Sequence, residues 1–237
     1  MVLTDGLLSY WPLEDNAAST TVTRSAGSQN GTASQNTNLF SSQGKINNGF
    51  YFPGSNTGMS GTRCYIGLPS NVLGSSTEFT VSSWANTQDY AYNNNILAAS
   101  FNYANNKGLI IRGPRSTGFE FFLGKSSYVL TSFIASNDIW YHYILTHSGA
   151  LSTLYVNGAF QESKATKTIS ASASYSSIGN EYTSWFKGWI DEVGFWNRAL
   201  SGTEITELYN NGRGLTYPFI KNSVRVGGAV MEAYYGH

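Results

Sequence analysis

The stretch "KGWIDEVGFWNRALSGTEITELYNNGRG", residues 187–214, decides how the chain is read. Its first ten residues are rich in Trp, Phe, Val and Ile, which suits a pleated, buried strand. The second half reads as a helix over 201–211. Ser201 suits the N-cap and Glu204 stands three residues on, the capping-box spacing. Ile205, Leu208 and Tyr209 make one apolar stripe, and Gly212 fits the left-handed C′ position. Glu204 and Glu207 then belong to a helix start and a solvated face. Asp191 and Glu192 remain, two adjacent carboxylates inside an apolar strand. In a regular strand they point to opposite faces.

The same strand chemistry recurs outward from this segment. In "FTVSSWANT" (79–87), Phe79, Val81 and Ser83 face one way, and Thr80, Ser82 and Trp84 the other. "LSTLYVNGAFQES" (151–163) places Asn157-Gly158 between two strands, a hairpin signal because both residues tolerate positive φ. About a dozen such runs with one helix predict an all-β fold, a two-sheet antiparallel jelly-roll sandwich. The predicted organisation is a sandwich over 1–219 and a β-like tail over 220–237. In the tail, Val224 and Val226 alternate, Gly227-Gly228 turn, and Tyr234-Tyr235 follow. A strand–turn–strand alone is marginal in water. The tail is expected to dock on another copy or a neighbouring subunit, with folding back onto the sandwich as the alternative.

Composition narrows the partners. The 237 residues include 16 Tyr, 13 Phe and 6 Trp, only 12% are charged, and the formal net charge is zero. That balance argues against nucleic acid or an anionic membrane as an electrostatic partner. No run approaches the roughly 20 apolar residues of a membrane span. "MVLTDGLLSYWPLEDN" lacks a basic region followed by an apolar one, so the chain as given does not read as a secretory precursor. Cys64 is the lone cysteine and reads as a small buried residue, with no intramolecular disulfide possible.

Short catalytic motifs are missing. His142 and His147 differ by five in a strand-like run, so they face opposite ways. No H-E-x-x-H or G-x-S-x-G occurs. "GFEFFLGKS" (118–126) is one residue too long for a phosphate-binding loop and too strand-like to curl. A glycosidase needs two carboxyl groups about 5–9.5 Å apart, and no strand carries alternate acids. "WYHY" (140–143) leaves a Tyr/His lyase open. The expectation is that the chain is not an enzyme and that no residue is catalytic.

Several segments together resemble the laminin-G-like, concanavalin A-like jelly-roll domains. They are "GLLSYWPLED" (6–15), "NGT" (30–32), "KINNGFYFPGSN" (45–56), "FTVSSWANT", "DIWYHYILTHSGALSTLYVNGAFQES" (138–163) and residues 176–212. The resemblance runs from Gly6 to Phe219. It implies a mostly non-catalytic family used for sugar or protein recognition. The start "GLLSYW" and the end "GLTYPF" look like the laminin-G-like surface proteins of bacteriophage particles. That likeness implies a structural or binding module on a virion, its partners a cell-surface glycan or neighbouring virion subunits, in an oligomer or larger assembly. The alternatives are a polysaccharide-active enzyme, a secreted carbohydrate-binding module, and a pure assembly protein.

For sugar binding the candidates are rings in amide-rich loops, because rings stack on C–H faces and amides bond hydroxyls. They are Tyr90 and Tyr92 in "NTQDYAYNNN", Tyr103 in "FNYANNK", and Tyr182 and Trp185 in "NEYTSWFKG". The resemblance also implies a structural Ca2+ at Asp191, aided by backbone oxygens near the first strand. Arg24 stands where relatives usually carry Asp. At about 5 Å from a divalent ion and an effective ε of about 20, its repulsion would be roughly 6–7 kcal/mol. An ion-free, salt-bridged or hydrogen-bonded corner is the alternative.

Overall fold

The computed structural model describes residues 2–54, 64–74, 76–89, 96–102, 107–115, 118–130, 132–168, 175–181, 184–220, 223–226 and 229–232. Among them are twenty strand segments and one α-helix, more and shorter strands than the dozen runs in the sequence suggest. The first seven are β1 (Leu7–Trp11), β2 (Thr21–Val22), β3 (Gly31–Ala33), β4 (Ser41–Gln43), β5 (Asn48–Pro53), β6 (Ile66–Gly67) and β7 (Phe79–Thr87). The middle of the chain gives β8 (Leu97–Asn102), β9 (Lys107–Arg115), β10 (Gly118–Leu123), β11 (Ser126–Leu130), β12 (Trp140–Ser148), β13 (Leu151–Val156) and β14 (Ala159–Ala165). Last come β15 (Tyr175–Ile178), β16 (Asn180–Glu181), β17 (Ser184–Trp185), β18 (Lys187–Trp196), helix α1 (Gly202–Tyr209), β19 (Ser223–Val226) and β20 (Ala229–Glu232).

Sixteen of these strands form two eight-stranded antiparallel sheets. The first runs β14-β13-β12-β7-β18-β5-β4, with β1 also paired to β18. The second runs β11-β10-β9-β8-β15-β6-β3-β2. The all-β sandwich read from the sequence is therefore the observed architecture. The alternation in β7 holds: Phe79 and Val81 point into the core, while Thr80, Ser82 and Trp84 lie on the outer face of the first sheet. From the second sheet, Leu97, Ala99, Leu109, Ile111, Phe119, Phe121 and Leu123 meet them, and Cys64 is buried in the same core. Fully burying one such large apolar side chain is worth about 1.5–3 kcal/mol. The hairpin at Asn157-Gly158 forms as expected, with φ of 53° and 76°.

A second apolar cluster covers part of the first sheet's outer face. Helix α1 and the segment after it press Ile205, Leu208, Leu215 and Phe219 onto Tyr10, Ile144, Trp196 and Leu200. Ser201 caps the helix, its Oγ accepting from the Glu204 N–H while Glu204 accepts from the Ser201 N–H. Arg198 holds the same Glu204 at 2.6 Å and donates to the Asp5 carbonyl, which ties the helix start to the N-terminus. The C-terminus differs from expectation. Asn210, at φ 50°, takes the left-handed position two residues before Gly212, because Asn also tolerates that conformation. Its side chain donates to the Gly214 carbonyl and locks the turn.

Candidate functional site

The register of the first sheet sorts its outer face into rows across β12, β7, β18 and β5. Ile144, Ser82 and Gly194 lie in one row under the helix, with Tyr10 of β1 paired to Gly194. The next row holds His142, Trp84 and Asp191. The last row holds Trp140, Asn86, Trp189 and Tyr51, and nothing among the described residues covers it completely. The face is thus a covered half and an open half, with a polar row at the boundary.

At that boundary the sequence-based reading of the carboxylates is corrected. Asp191 and Glu192 do not face opposite ways, because β18 is not regular there. The register slips between Asp191 and Gly194, and Glu192 sits at φ 53°. This bulge inserts an extra residue and turns the second carboxylate to the same face as the first. Asp191 Oδ2 accepts the N–H groups of Lys45 and Ile46, each at 2.9 Å. Glu192 Oε2 lies 2.5 Å from the Tyr10 hydroxyl, which is also 3.2 Å from the Leu215 carbonyl. Burial pushes Glu192 up to about 8 and raises Asp191 well above the carboxylate range, with the charge of Glu192 as the second cause.

Arg24 does not reach the pair. Its guanidinium is bonded to the Gly27 carbonyl and the Asn30 side chain at the surface. The repulsion considered for calcium at Asp191 therefore falls away. Asp191 Oδ1 and Glu192 Oε1 are buried with no hydrogen-bond partner, and hard oxygens of this kind suit calcium. Such an ion needs 6–8 oxygens. Among the described residues no three acidic, histidine or cysteine side chains gather to hold one, so further ligands would have to come from backbone or water oxygens.

His142 is part of the same row. It is buried, stacked 4.7 Å from Trp84 and bonded through Nε2 to Ser82 Oγ at 2.8 Å. Burial, then the nearby Lys45 charge, lowers it to about 3. His147 faces the core side against Phe79, so the two histidines diverge as read from their spacing.

The open row is the floor of a groove. One depression of about 590 Å³ is lined by Ser42, Gln43, Gly44, Lys45, Asn86, Trp140 and Trp189. A second of about 340 Å³ adjoins it at Ser42 and Trp189 and adds Leu39, Tyr51 and Gln88. Trp140, Trp189 and Tyr51 are all partly exposed. Strands lie about 4.8 Å apart, so the backbones carrying the two indoles are roughly 10 Å apart, with Asn86 between them. Trp189 packs 4.9 Å from Tyr51 and donates its indole N–H to Ser42 Oγ. Tyr51 in turn donates to Gln88. The rings are fixed in place, while Ser42 keeps a hydroxyl proton to donate.

The turn from Gly44 to Asn47 forms one wall. It is closed by the Gly44 N–H donating to the Asn47 carbonyl and is anchored from below by Asp191. A side chain on Gly44 would meet the Asn48 carbonyl at 2.3 Å and Asp191 Oδ2 at 2.7 Å, so only glycine lets the turn approach. Lys45 leaves this turn with its ammonium 4.6 Å above the Trp84 ring, inside the groove.

Of the residues singled out from the sequence, Tyr90, Tyr92, Tyr103 and Tyr182 lie outside the described residues. Trp185 sits in β17, partly buried and paired with Asn180 of β16. The groove residues Trp140, Trp189, Tyr51, Asn86 and Lys45 were not singled out as binding residues. A signal existed: Trp189 and Tyr51 alternate with the core residues Ile190, Phe50 and Phe52, which marks them as outward rings.

A profile of the concanavalin A-like lectin/glucanases superfamily matches residues 60–206, more than half of the chain. None of the curated protein sequences compared with the chain matches it. Among solved structures, domain 4 of AbnA, a GH43 extracellular arabinanase from Geobacillus stearothermophilus in complex with arabinotriose, is similar with a TM-score of 0.67 at 19% identity. That match covers 85% of this chain and 97% of the domain. Trypanosoma rangeli sialidase in complex with sialic acid is similar at 0.62 and 13% identity, over 90% of this chain and 34% of the sialidase. The binding domain of Paraclostridial Mosquitocidal Protein 1 is similar at 0.62 and 20% identity, over 88% of this chain and 52% of that one. At these identities the likeness establishes the fold. It also corrects the expectation that the chain is not an enzyme. The matched structures include parts of an arabinanase and a sialidase, so missing short motifs do not set the chain apart from carbohydrate-active enzymes. Motifs report neighbours in sequence, whereas a cleft on a sandwich is assembled from distant strands.

Proposed function

Because the chain belongs to the concanavalin A-like lectin/glucanases superfamily, we propose that it is a glycan-binding module whose ligand lies in the groove over Trp140, Asn86, Trp189 and Tyr51. One observation carries this reading: two partly exposed indoles, Trp140 and Trp189, flank an amide in an open groove on the outer face of the sheet. Rings at this spacing stack on sugar faces, and Ser42, Gln43 and Asn86 offer polar partners for hydroxyls. The matched arabinanase domain, solved with arabinotriose, supports an oligosaccharide as the ligand class. Tyr90 and Tyr92, two and four residues after the groove residue Gln88 in the sequence, remain candidates for the same ligand. Binding to a panel of plant, bacterial and animal oligosaccharides tests it. At least one should bind, and Trp189→Ala should weaken that ligand by about tenfold with the fold intact. A panel without a ligand, or a variant that binds as before, would sink the reading.

A structural calcium at Asp191 is a second reading, favoured by the two unpartnered buried oxygens Asp191 Oδ1 and Glu192 Oε1. Calcium should raise the melting temperature and chelator lower it, and Asp191→Ala should abolish both responses. Indifference of the wild type to both would refute it.

The proposed virion placement rests on the sequence likeness alone, while the proposed assembly role of the tail has one further support. Among the described residues, β19 pairs with β20 alone, as a two-stranded ribbon separate from both sheets. Such a ribbon gains stability by adding to a neighbouring sheet. Deleting 220–237 should leave the sandwich folded and abolish oligomerisation or particle incorporation. Unchanged assembly would contradict the role.

A further inference from the structure

We propose that the groove selects glycans bearing an anionic group, a carboxylate or a sulfate, and that Lys45 is the residue that recognises it. This rests on the glycan-binding reading and names the ligand class within it. Lys45 lines the groove together with Asn86, Trp140 and Trp189. Among the described residues the side-chain ion pairs are Arg112–Glu120 and Arg198–Glu204, and Lys45 joins neither. Among the described residues its ammonium lies over the face of Trp84, 4.6 Å away.

The nearby carboxylates are turned to other tasks. Asp191 Oδ2 is occupied by the two N–H groups of the turn, and Glu192 meets Tyr10. Glu14 accepts from Asn47 and the Asn48 N–H on the far side of that turn. A lysine left in this way holds three N–H donors and a full charge. Partial burial already lowers its proton affinity from the usual 10.5, so the ammonium has given up some of its water. A neutral sugar laid across it removes more water and returns only hydrogen bonds to uncharged hydroxyls. An anionic oxygen adds the attraction of an opposite charge to those bonds.

The backbone that carries the ammonium is also held in position. The turn at Lys45 is closed by its own Gly44–Asn47 bond and anchored by Asp191, and the side chain lies over the Trp84 ring. Pre-organisation of this kind converts a single charge into selectivity, because little ordering remains to be done on binding.

The test compares matched pairs by calorimetry at low salt: trigalacturonic acid against galactotriose, and sialyllactose against lactose. The wild-type chain should bind the acidic member of at least one pair about tenfold more tightly. Lys45→Met keeps the stem over Trp84 and removes the charge. It should erase the preference, bringing the acidic member of the pair to the affinity of its neutral partner, and salt near 0.5 M should shrink the wild-type preference in the same direction. Equal affinity within both pairs, or a preference that survives Lys45→Met, would overturn the role of Lys45 while the groove reading stands. Failure of all four sugars to bind would overturn this proposal. The groove reading itself would fail only if no sugar of the wider panel bound either.

Discussion

Asp191 Oδ2 accepts the backbone N–H of Lys45 at 2.9 Å across a sequence separation of 146 residues. The bond joins the middle of β18 to the turn between β4 and β5, and it places a cation at the edge of the groove. The adjacent carboxylates thus tie two parts of the fold together beside the groove. Asp191 builds the wall, and Glu192, turned to the same face by the bulge, holds Tyr10 under the C-terminal segment.

Removing that anchor should cost stability and binding together. Asp191→Ala leaves two N–H groups without their acceptor, and each unsatisfied buried group costs about 1–3 kcal/mol. Urea unfolding should show a loss of roughly 2–4 kcal/mol. Gly44→Ala, which pushes the turn off Asp191 without altering any charge, should weaken the groove ligand as well. Unchanged unfolding midpoints and affinities in both variants would refute the coupling.

The pH dependence follows from two buried groups of opposite sign. Burial raises Glu192 from 4.5 to about 8, so the folded chain holds a proton that the unfolded chain releases. The stability this gives is complete below 4.5 and is lost as pH rises through 8. His142 is lowered from 6.5 to about 3, so its contribution is complete above 6.5 and is lost as pH falls towards 3. In calcium-free buffer, Glu192→Gln should flatten the loss between pH 4.5 and about 8, whose slope is at most about 1.4 kcal/mol per pH unit. A wild-type chain that grows more stable from pH 6.5 to about 8, where His142 no longer contributes, would contradict the protonated carboxylate.

The helix cap gives an independent check on the covered half of the sheet. Ser201→Ala removes the side-chain acceptor for the Glu204 N–H and should cost about 0.5–2 kcal/mol. Arg198 still holds Glu204, so groove affinity should not change. A loss of binding in this variant would show that the two halves of the face are coupled.

Much of the fold was legible because period-two alternation and capping chemistry are local. Phe79, Val81, Thr80, Ser82 and Trp84 fall on the faces their spacing dictates, and Ser201–Glu204 forms the predicted box. The corner was misread because a bulge is set by pairing: only the register against β7 shows that Glu192 is the inserted residue. The proposed groove is not legible in the sequence for the same reason. Trp140, Asn86 and Trp189 come from three distant segments and meet only when β12, β7 and β18 are laid side by side. Loop composition drew attention to Tyr90, Tyr92, Tyr103, Tyr182 and Trp185 instead.

The most direct test of the groove is the behaviour of the six indole N–H signals during an oligosaccharide titration followed by NMR. Trp140 and Trp189 line the groove, whereas Trp11 and Trp196 are buried and Trp185 lies in the β16–β17 ribbon. The signals of Trp140 and Trp189 should shift together and saturably, with those of Trp11 and Trp196 unmoved. A saturable shift confined to Trp185, with Trp140 and Trp189 silent, would place the ligand on the loops and contradict the groove.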